Sequence, residues 1–389
     1  MIFLRACLAA IRLNLASLRG RIWPALVVVV GVACVVATLL SMLSMTVGLR
    51  HTWERAGSPD RAIILPANAR QEGDGTISRA QAEILKDAPG IARDAKGAAI
   101  ADPEITTFLI VRRRDTGGRG FIQLRSFGPE GLSLRPEFRI IAGRMLQPGK
   151  REMVVGAEAP GQFVGVGLGD KITMPDGLWP VVGVFKTNDD LLQSQLVADS
   201  DTVMPALRKT DYSSVTVRLA DANALANLRR AITTNPALTV TVERQSDYYN
   251  RRSAQFSDLN DALVYGVGAL LGLGALLAAV NILYSAVMAR SREIATLRAL
   301  GFGAAPVGLA IAFEGLLLAL AGAVIGAGIA YGLFNGVQSV SNNIAFHLIV
   351  SPAMIALGLG WAILIGLLGS VLPALHAARL PVADGLRAS

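Results

Sequence analysis

The chain has 389 residues, of which 52% are apolar and only 17% are charged, and its formal net charge at pH 7 is +8. Soluble domains usually contain about 25% charged residues, so this composition excludes an ordinary soluble globular protein and indicates a membrane protein. The two cysteines, Cys7 and Cys34, are too few for a disulfide framework or a cysteine-based metal site.

Four long apolar runs occupy residues 22–49, 262–289, 305–333 and 352–377. Each run exceeds the ~20 residues that a helix needs to cross a ~30 Å hydrocarbon core, so we expect four transmembrane helices. Basic residues precede the first run, as in a signal peptide. However, the run is about twice as long as the apolar core of a signal peptide, so we expect it to be retained as a helix.

The segment before the first run, residues 1–21, has leucines at helical spacing on one face and arginines on another. This pattern predicts an amphipathic helix at the cytoplasmic surface of the membrane. Two roles are compatible with it, a membrane anchor or a docking site for a cytoplasmic partner. In the second case, Arg12 and Arg19 are the candidate contact residues.

The distribution of charge predicts the orientation of the helices. Nine arginines and only two acidic residues occur in three segments, 1–21, 290–304 and 378–389. Basic residues accumulate on the cytoplasmic side, so these segments and both termini should be cytoplasmic, whereas 50–261 and 334–351 should face outward. The basic excess therefore reports the orientation of a multi-pass membrane protein, and it does not indicate nucleic-acid binding.

The predicted outer segment, 50–261, mixes strand and helix patterns. The stretches "ITTFLIVRRR" and "FIQLRSFG" alternate like strands around a "DTGG" turn. Ser78 and Gln81 fit a helix capping box, and Asp221 is predicted to cap a later helix. The predicted fold class is therefore an α-helical membrane protein with four transmembrane helices, arranged 1 + 3, and a large α+β extracytoplasmic domain between the first and second.

The approach to the second apolar run is continuous. No proline occurs between Asp247 and Ala289, and the glycines fall only within the apolar part. A single helix of this length would measure ~65 Å, about twice the thickness of the bilayer core. We therefore predict a rigid helix that leaves the membrane and extends into the outer domain.

Small residues and one acid stand out within the apolar runs. Glycines with GxxxG spacing allow helix backbones to approach closely, either within one chain or between two copies. The candidate packing residues are Gly268, Gly272, Gly322, Gly326, Gly328 and Gly332. Glu314 is a candidate functional residue because a carboxylate is costly in lipid. Its position near the cytoplasmic edge favours a structural role, either snorkelling or a polar contact with a neighbouring helix.

Residues 290–304 combine helical spacing with charge, which is unusual for a short loop between membrane helices. Ile294, Leu297 and Gly301 fall on one face, and Arg292 and Arg298 lie off it. This pattern suits a coupling helix that inserts into a groove of a cytoplasmic ATPase, with apolar residues for grip and charges for register. The candidate coupling residues are Arg290, Arg292, Glu293, Ile294, Leu297, Arg298, Leu300 and Gly301. The alternative is a helix lying on the lipid surface, which would not favour the acidic residue.

The sequence offers little for catalysis. It contains no Walker A motif, no histidine spacing typical of a metal site and no nucleophile motif. We therefore expect a non-catalytic chain without a metal or cofactor of its own. Any movement that it performs would draw its energy from a partner.

The whole layout resembles the permease family that includes MacB, LolC, LolE and FtsX. Three stretches show the resemblance: "SREIATLRALGFG" after the second run, "AGRMLQPGKREMVVG" with a closing "VVGVF" in the outer segment, and the C-terminal "LPALHAARLPVADGLR". The resemblance implies that residues 290–304 contact a nucleotide-binding subunit. It also implies a pair of permeases, identical or homologous, with two ATPase subunits that bind ATP and Mg, and transmission through the long second helix.

Two departures from the family narrow these expectations. MacB has a fused ATPase domain, but only about 20 residues precede the first run in this sequence, so we expect the ATPase to be a separate chain. FtsX has a smaller outer domain. The favoured function is export or extraction of a lipid, lipoprotein, peptide or toxin-like substrate, with or without a periplasmic adaptor. The alternative is an FtsX-type transmembrane signalling scaffold that activates an envelope enzyme or sensor.

A groove for a lipidic substrate in the outer domain should have a visible consequence. It would leave apolar residues exposed on the strands near 105–127 or 178–186. The same apolar residues are equally suited to the core of the domain. The sequence leaves these two interpretations open.

Overall fold

The structure is a computed structural model that describes residues 22–188, 191–221, 223–299, 303–341 and 344–379. The predicted amphipathic helix 1–21, with Arg12 and Arg19, therefore lies outside the described residues. So do Leu300 and Gly301.

In chain order, the helices and strands of the described residues are α1 (Ile22–Ala56), β1 (Arg61–Pro66), α2 (Arg79–Lys86), β2 (Ala101–Glu104), β3 (Thr106–Arg113), β4 (Arg119–Phe127), β5 (Arg139–Gly143), β6 (Met153–Gly156), α3 (Ala159–Gln162), β7 (Phe163–Val164), β8 (Lys171–Met174), β9 (Gly177–Lys186), β10 (Leu196–Asp199), α4 (Ser200–Ala206), β11 (Ser214–Arg218), α5 (Ala224–Thr234), β12 (Val240–Arg244), α6 (Gln245–Ala289), α7 (Ser291–Ala299), α8 (Ala304–Phe334), β13 (Gln338–Ser341), β14 (Ile344–His347) and α9 (Pro352–Arg379). A short 3-10 helix, Leu191–Ser194, precedes β10.

The chain divides into two compact units. The membrane unit comprises the described residues up to Val47, from Asp258 to Val337 and from Leu348 onward. The sheet unit comprises Gly48–Ser257 and Gln338–His347. Four helices, α1, α6, α8 and α9, are long and apolar enough to cross a membrane. The predicted fold class, four such helices with an α+β domain between the first and second, is confirmed.

The sheet unit contains two main sheets. The smaller has the strand order β12-β1-β11-β2, and all its pairs are antiparallel. The larger has eight strands, ordered β5-β9-β6-β10-β4-β3-β7 with β8 paired to β9. Apolar side chains cover both faces of the larger sheet near its middle, with Trp179 and Phe163 on one face and Phe127 and Phe185 on the other. These two cores hold β4, the strand that carries the buried Arg125.

Several local predictions agree with the observed elements. Ser78 and Gln81 form a reciprocal capping box at the start of α2. The "DTGG" stretch lies in the turn between β3 and β4, as predicted. Helix α6 is continuous over 45 residues. The predicted Asp221 cap is wrong: Asn223 precedes α5, and the Asp221 carboxylate accepts a hydrogen bond from the Asn223 backbone N–H at 2.7 Å. Because an aspartate side chain readily accepts a hydrogen bond from the backbone N–H two residues further on, Asp221 forms an Asx-turn before the helix instead of capping it.

Candidate functional site

The short helix α7 is the first candidate site, because the sequence predicts a coupling helix there. The backbone N–H of Ile294 donates to the carbonyl of Arg290 at 2.9 Å, so helical hydrogen bonding begins one residue after α6 ends at Ala289. Arg290 and Glu293 form an ion pair one turn apart, with Nε and Oε2 separated by 3.5 Å. The α6–α7 junction is therefore short and held by helical bonds on both sides.

One residue of the predicted apolar face of α7, Ile294, is turned toward the protein's own helices. Ile294 is 6% exposed and packs in a cluster with Val287 of α6, Val307 and Ile311 of α8, and Ala377 of α9. This placement differs from the prediction that Ile294 offers an apolar grip to a partner. Burial of a branched aliphatic side chain against three helices favours this position by about 1.5–3 kcal/mol relative to exposure. Ile294 therefore anchors α7 within the membrane unit.

The opposite face of α7 remains accessible. Arg292, Glu293 and Thr296 are exposed, and the Glu293 side chain is 71% exposed. Arg298 is partly buried. Leu297 lies within α7, but its side chain is outside the described set. Among the described side chains, the polar and charged part of the α7 surface is therefore formed by Arg292, Glu293 and Thr296.

A second group of functional candidates is a buried ionic network in the sheet unit. Arg125 on β4 forms ion pairs with Glu72 and with Glu104 on β2. Arg135 donates to the other Glu104 oxygen at 2.5 Å and stacks over the Phe127 ring at 4.3 Å. All four charged side chains are at most 5% exposed. Glu104 belongs to the smaller sheet and Arg125 to the larger, so the network joins the two.

The first turns of α6 are tied into the same network. The Tyr249 hydroxyl donates to Glu72 Oε1 at 3.0 Å, and the Tyr248 hydroxyl accepts the Glu72 backbone N–H at 3.1 Å. Tyr249 also packs against Trp53 near the end of α1, with ring centroids 6.0 Å apart. The start of α6 and the end of α1 therefore meet the network through aromatic side chains.

Burial and pairing shift the ionisation of these groups in opposite directions. Burial alone would raise the pKa of Glu104, but Arg135 and Arg125 outweigh it and hold the pKa at about 2. Nearby Asp102 lacks such pairing, so burial and the Glu104 carboxylate raise its pKa to about 8. Burial also raises the pKa of Tyr249, so its hydroxyl stays a donor to Glu72. The network is thus charged at Glu104 and neutral at Tyr249 near pH 7.

Comparison with known proteins identifies the class of molecule. Residues 25–235 match the MacB-like periplasmic core domain, and residues 265–382 match the FtsX-like permease C-terminal model. The chain belongs to the FtsX-like and MacB-like family of ABC transporter permeases. The chain is 24% identical over 215 residues to YknZ, an uncharacterized ABC transporter permease of Bacillus subtilis (strain 168).

The extent of these matches is limited. The YknZ match covers 53% of this chain and 53% of the relative, so the chain spans about half the length of the relative that it matches. A solved structure, the extracellular domain of the noncanonic ABC-type transporter YknZ from Gram-positive bacteria, aligns with 47% of this chain and 99% of that one. Its sequence identity is 14% and its TM-score is 0.36.

The glycines of this permease fall into two groups. A Cβ on Gly326 would lie 2.4 Å from the backbone oxygen of Ala33, and one on Gly322 would lie 2.6 Å from that of Val29, so both pack directly against α1. Gly268 approaches Leu39 of α1, and Gly272 approaches Trp361 of α9. These four pack helices within the chain, as the GxxxG spacing predicts.

Gly328 and Gly332 differ from the other four. A Cβ at either position would meet nothing within 4 Å. Among the described residues they therefore make no close helix contact within the chain, and packing between two copies stays a prediction. The reason is helical geometry, because residues two positions apart on a helix point in different directions.

Glu314 of the permease is buried between membrane helices. It is 6% exposed and lines a small cavity of about 20 Å³ with residues of α1 and α6, among them Pro24, Ala25 and Ile282. Its side chain therefore does not snorkel to the surface. A position between three helices fits the predicted alternative, a structural contact with a neighbouring helix.

Sequence reasoning missed the ionic network of this permease. Glu72 and Tyr249 are 177 residues apart, and Glu72 and Arg125 are 53 apart, so no local spacing brings them together. One signal was available in β4: Arg125 has the same strand parity as Phe127, which faces a core. A charge at an inward position of a strand indicates a buried partner.

Proposed function

We propose that this chain is the membrane subunit of an ABC transporter driven by a separate cytoplasmic ATPase. The ATPase binds ATP and Mg and contacts the exposed face of α7, formed by Arg292, Glu293 and Thr296. Its closure moves α6, and α6 moves the sheet unit. A pair of permeases, identical or homologous, works with two ATPase subunits.

The observation that best supports this proposal is the continuity of α6. Its 45 residues form one helix, which measures about 68 Å at ~1.5 Å per residue. Residues 245–257 of this helix belong to the sheet unit and residues 258–289 to the membrane unit. A helix is stiff along its axis, so a displacement applied near Ala289 reaches Gln245 with little loss.

The ionic network supports the proposal at the other end of α6. Tyr248 and Tyr249 lie within the first two turns of the helix and bond to Glu72, which pairs with Arg125. Arg125 in turn pairs with Glu104 of the smaller sheet. Because a buried ion pair tolerates little change in geometry, movement of α6 would shift the two sheets relative to each other.

For the substrate we propose an amphipathic or apolar molecule, namely a lipid, a lipoprotein, a peptide or a toxin-like compound. The substrate is exported from the outer face or extracted from the membrane, and a periplasmic adaptor is a candidate further partner. Movement of an outer domain suits this task because it needs no polar channel through the membrane helices.

The test is affinity purification of the full chain from native membranes with a photoreactive, non-hydrolysable ATP analogue present. The wild type is compared with a variant in which Arg292, Glu293 and Thr296 are all changed to alanine. We expect the wild type to retain a photolabelled ATP-binding chain. Loss of several charge-assisted contacts should reduce the label at least tenfold in the variant.

The matched control changes another exposed, charged helix. Glu83 and Lys86 form an i,i+3 ion pair at 2.7 Å on α2 of the sheet unit, so a Glu83→Ala and Lys86→Ala variant removes comparable charges away from α7. This control should retain the label. Absence of a photolabelled chain from the wild type would refute the proposed coupling, as would equal loss in the two variants.

A further inference from the structure

The β3–β4 hairpin presents large apolar side chains to solvent. Phe108 is 58% exposed, Ile110 is 64% exposed and Phe121 is 50% exposed, and Val164 of the adjacent β7 is 45% exposed. Side chains alternate between the faces of a strand, so the two residues from β3 share one face, while Leu109 between them lies in the core. We call Phe108, Ile110 and Phe121 the apolar strip.

Two arginines close one end of the apolar strip. The register pairs Ile110 with Phe121 and, two residues further along, Arg112 with Arg119. Both arginines are exposed, and among the described residues neither forms an ion pair with a carboxylate. Like charges directly opposite each other on antiparallel strands destabilise the pairing. The unbound domain therefore holds two facing cations that an anion would stabilise.

The other end of the strip is uncharged. Phe108 pairs with Gln123, whose side chain accepts a hydrogen bond from Gln195 at 2.9 Å. From Arg112 to Phe108 the strand extends about 14 Å at ~3.4 Å per residue. The surface therefore has a cationic end at Arg112 and Arg119, followed by an uncharged apolar stretch that ends about 14 Å away at Phe108.

We propose that the apolar strip, with Arg112 and Arg119, is a binding site for a single-chain anionic amphiphile. The acid group, a phosphate or carboxylate, lies between the two guanidinium groups. The alkyl chain lies over Ile110, Phe121 and Phe108. This site does not depend on coupling to an ATPase, since it belongs to the sheet unit and binding needs no nucleotide.

The separation of charge from apolar surface favours an amphiphile over a protein partner. Protein interfaces surround an apolar centre with a polar rim and contain about one hydrogen bond per 100–200 Å². In the hairpin, the polar groups able to bind an anion lie at one end only. A phosphate or carboxylate also matches the planar donors of arginine, which bind such groups through two parallel hydrogen bonds.

The test uses photo-crosslinking to the full chain reconstituted in nanodiscs of neutral lipid. The probe is lysophosphatidic acid with a photoreactive diazirine on its acyl chain, and labelled peptides are mapped by mass spectrometry. We expect labelling of β3 and β4 at the apolar strip. An Arg112→Gln and Arg119→Gln variant should lose labelling roughly tenfold, because charge-assisted hydrogen bonds to the acid group are removed.

Two controls separate this site from general surface effects. Arg139 and Lys186 also face each other across exposed strand positions of the same sheet, so an Arg139→Gln and Lys186→Gln variant removes equal charge elsewhere. It should label like the wild type. Monoacylglycerol with the same photoreactive chain tests the acid group, and it should label the strip several-fold less.

Three outcomes would overturn the proposal. Equal labelling by the neutral probe would show that the arginines do not select an acid. Complete displacement of the probe by millimolar inorganic phosphate would assign the arginine pair to a free anion instead. Absence of label from β3 and β4 would show that the apolar strip does not bind a single-chain anionic amphiphile.

Discussion

The membrane unit and the sheet unit are stabilised by different forces. In the membrane unit, Gly322 and Gly326 bring α8 into contact with the backbone of α1, and small residues fill the contacts. In the sheet unit, apolar cores surround ion pairs formed by Arg125 and Arg135. Apolar side chains gain little free energy by moving from lipid into a helix interface, so association of membrane helices depends on close packing of their surfaces. A domain in water has the hydrophobic effect in addition and can accommodate buried charge.

If the protein works as proposed, this difference bears on where it would transmit force and where it would deform. Close steric contact between helices has one favoured geometry, so the helices that share it should move as a body. An ionic network has directional bonds that break and re-form in discrete arrangements. The network at the start of α6, around Glu72 and Arg125, is therefore the expected point at which movement is converted into a change within the sheet unit.

The largest expected effect comes from removing the central cation of the network. Arg125→Met should leave Glu72 buried without its cation and Glu104 with Arg135 alone, and lower the free energy of unfolding of the sheet unit by about 3–5 kcal/mol. Urea unfolding of the purified chain measures it, followed by tryptophan fluorescence in a Trp23→Phe and Trp361→Phe background, so that the signal comes from Trp53 and Trp179. Both tryptophans lie in the sheet unit.

The control for this prediction is an exposed ion pair. Arg151 is 62% exposed and lies 3.1 Å from Asp176, so Arg151→Met should unfold close to wild type. Adding Glu72→Gln to Arg125→Met should recover part of the loss, because the carboxylate left without a cation is then removed. A fall of less than about 1 kcal/mol for Arg125→Met would mean that the network contributes little to the stability of the sheet unit.

The second prediction concerns pH. Burial and Glu104 raise the pKa of Asp102 from 3.8 to about 8, so the folded protein keeps a proton that the unfolded chain releases above pH ~4. Stability should therefore fall as pH rises through this window, by up to ~1.4 kcal/mol per pH unit. Asp102→Asn removes the titrating group but retains an acceptor for the Gly128 N–H, so its curve should be flatter between pH 5 and 8.

The measurement is the free energy of unfolding of both proteins at several pH values from 5 to 8. Glu104 does not interfere in this range. Its lowered pKa, about 2, contributes stability that is complete above pH ~4.5 and is lost on further acidification. Parallel curves for the wild type and Asp102→Asn would contradict a raised pKa at Asp102.

The third prediction tests the membrane unit with two matched substitutions. Gly326→Ala and Gly328→Ala each add one methyl group to α8 and gain about 1 kcal/mol of helix propensity. At Gly326 the methyl would lie 2.4 Å from the Ala33 oxygen, whereas at Gly328 it meets nothing within 4 Å. Gly326→Ala should therefore be less stable by roughly 1–3 kcal/mol, and Gly328→Ala unchanged or more stable.

Thermal unfolding in a mild detergent, read by size-exclusion chromatography, distinguishes the two variants. Equal melting temperatures would mean that the α1–α8 contact can shift to accommodate a methyl group. A larger loss for Gly328→Ala would mean that the outward face of α8 packs against another molecule. Either result would weaken the conclusion that close backbone contacts between α1 and α8 stabilise the membrane unit.

The sequence predicted those features that one strong physical constraint determines. A helix that crosses the bilayer needs a minimum number of apolar residues, so hydropathy located α1, α6, α8 and α9, and the absence of proline predicted the continuous α6. The alternating residues that predicted the β3–β4 hairpin around the "DTGG" turn are also a pattern of neighbouring residues in the sequence. These predictions did not depend on knowing which elements meet.

The features that were missed or left open depend on tertiary structure. The apolar residues at 105–127 were compatible with either a core or an exposed surface, and the structure divides them by face, with Leu109 and Ile122 inside and Phe108 and Phe121 outside. The β13–β14 hairpin lies within the predicted outer loop, where no strand was expected. Burial of Ile294 depends on three helices that α7 meets only in the folded chain.

The smallest expected effect is a gain in stability at the proposed amphiphile site. Arg112→Glu replaces a facing pair of cations with a pair of opposite charges, so the free energy of unfolding of the sheet unit should rise by about 0.2–1 kcal/mol. The same change should abolish labelling by the lysophosphatidic acid probe. Urea unfolding and photo-crosslinking of one variant test both statements, with Arg139→Glu, opposite Lys186, as the matched ion pair.

The two readouts together distinguish a binding site from an incidental surface. If Arg112 and Arg119 face each other to bind an anion, the wild-type pair binds the anion better than the Arg112→Glu variant, but without the anion it is the less stable of the two. Stability and binding should then change in opposite directions. A merely solvated pair would gain stability on substitution at either position and lose no binding. Loss of both stability and labelling would instead mean that Arg112 supports the hairpin, and the strip would then lose its proposed ligand. Arg112 and Arg119 differ from the facing pair Arg139 and Lys186 in lying beside exposed aromatic and aliphatic side chains, and this combination is what an anionic amphiphile would complete.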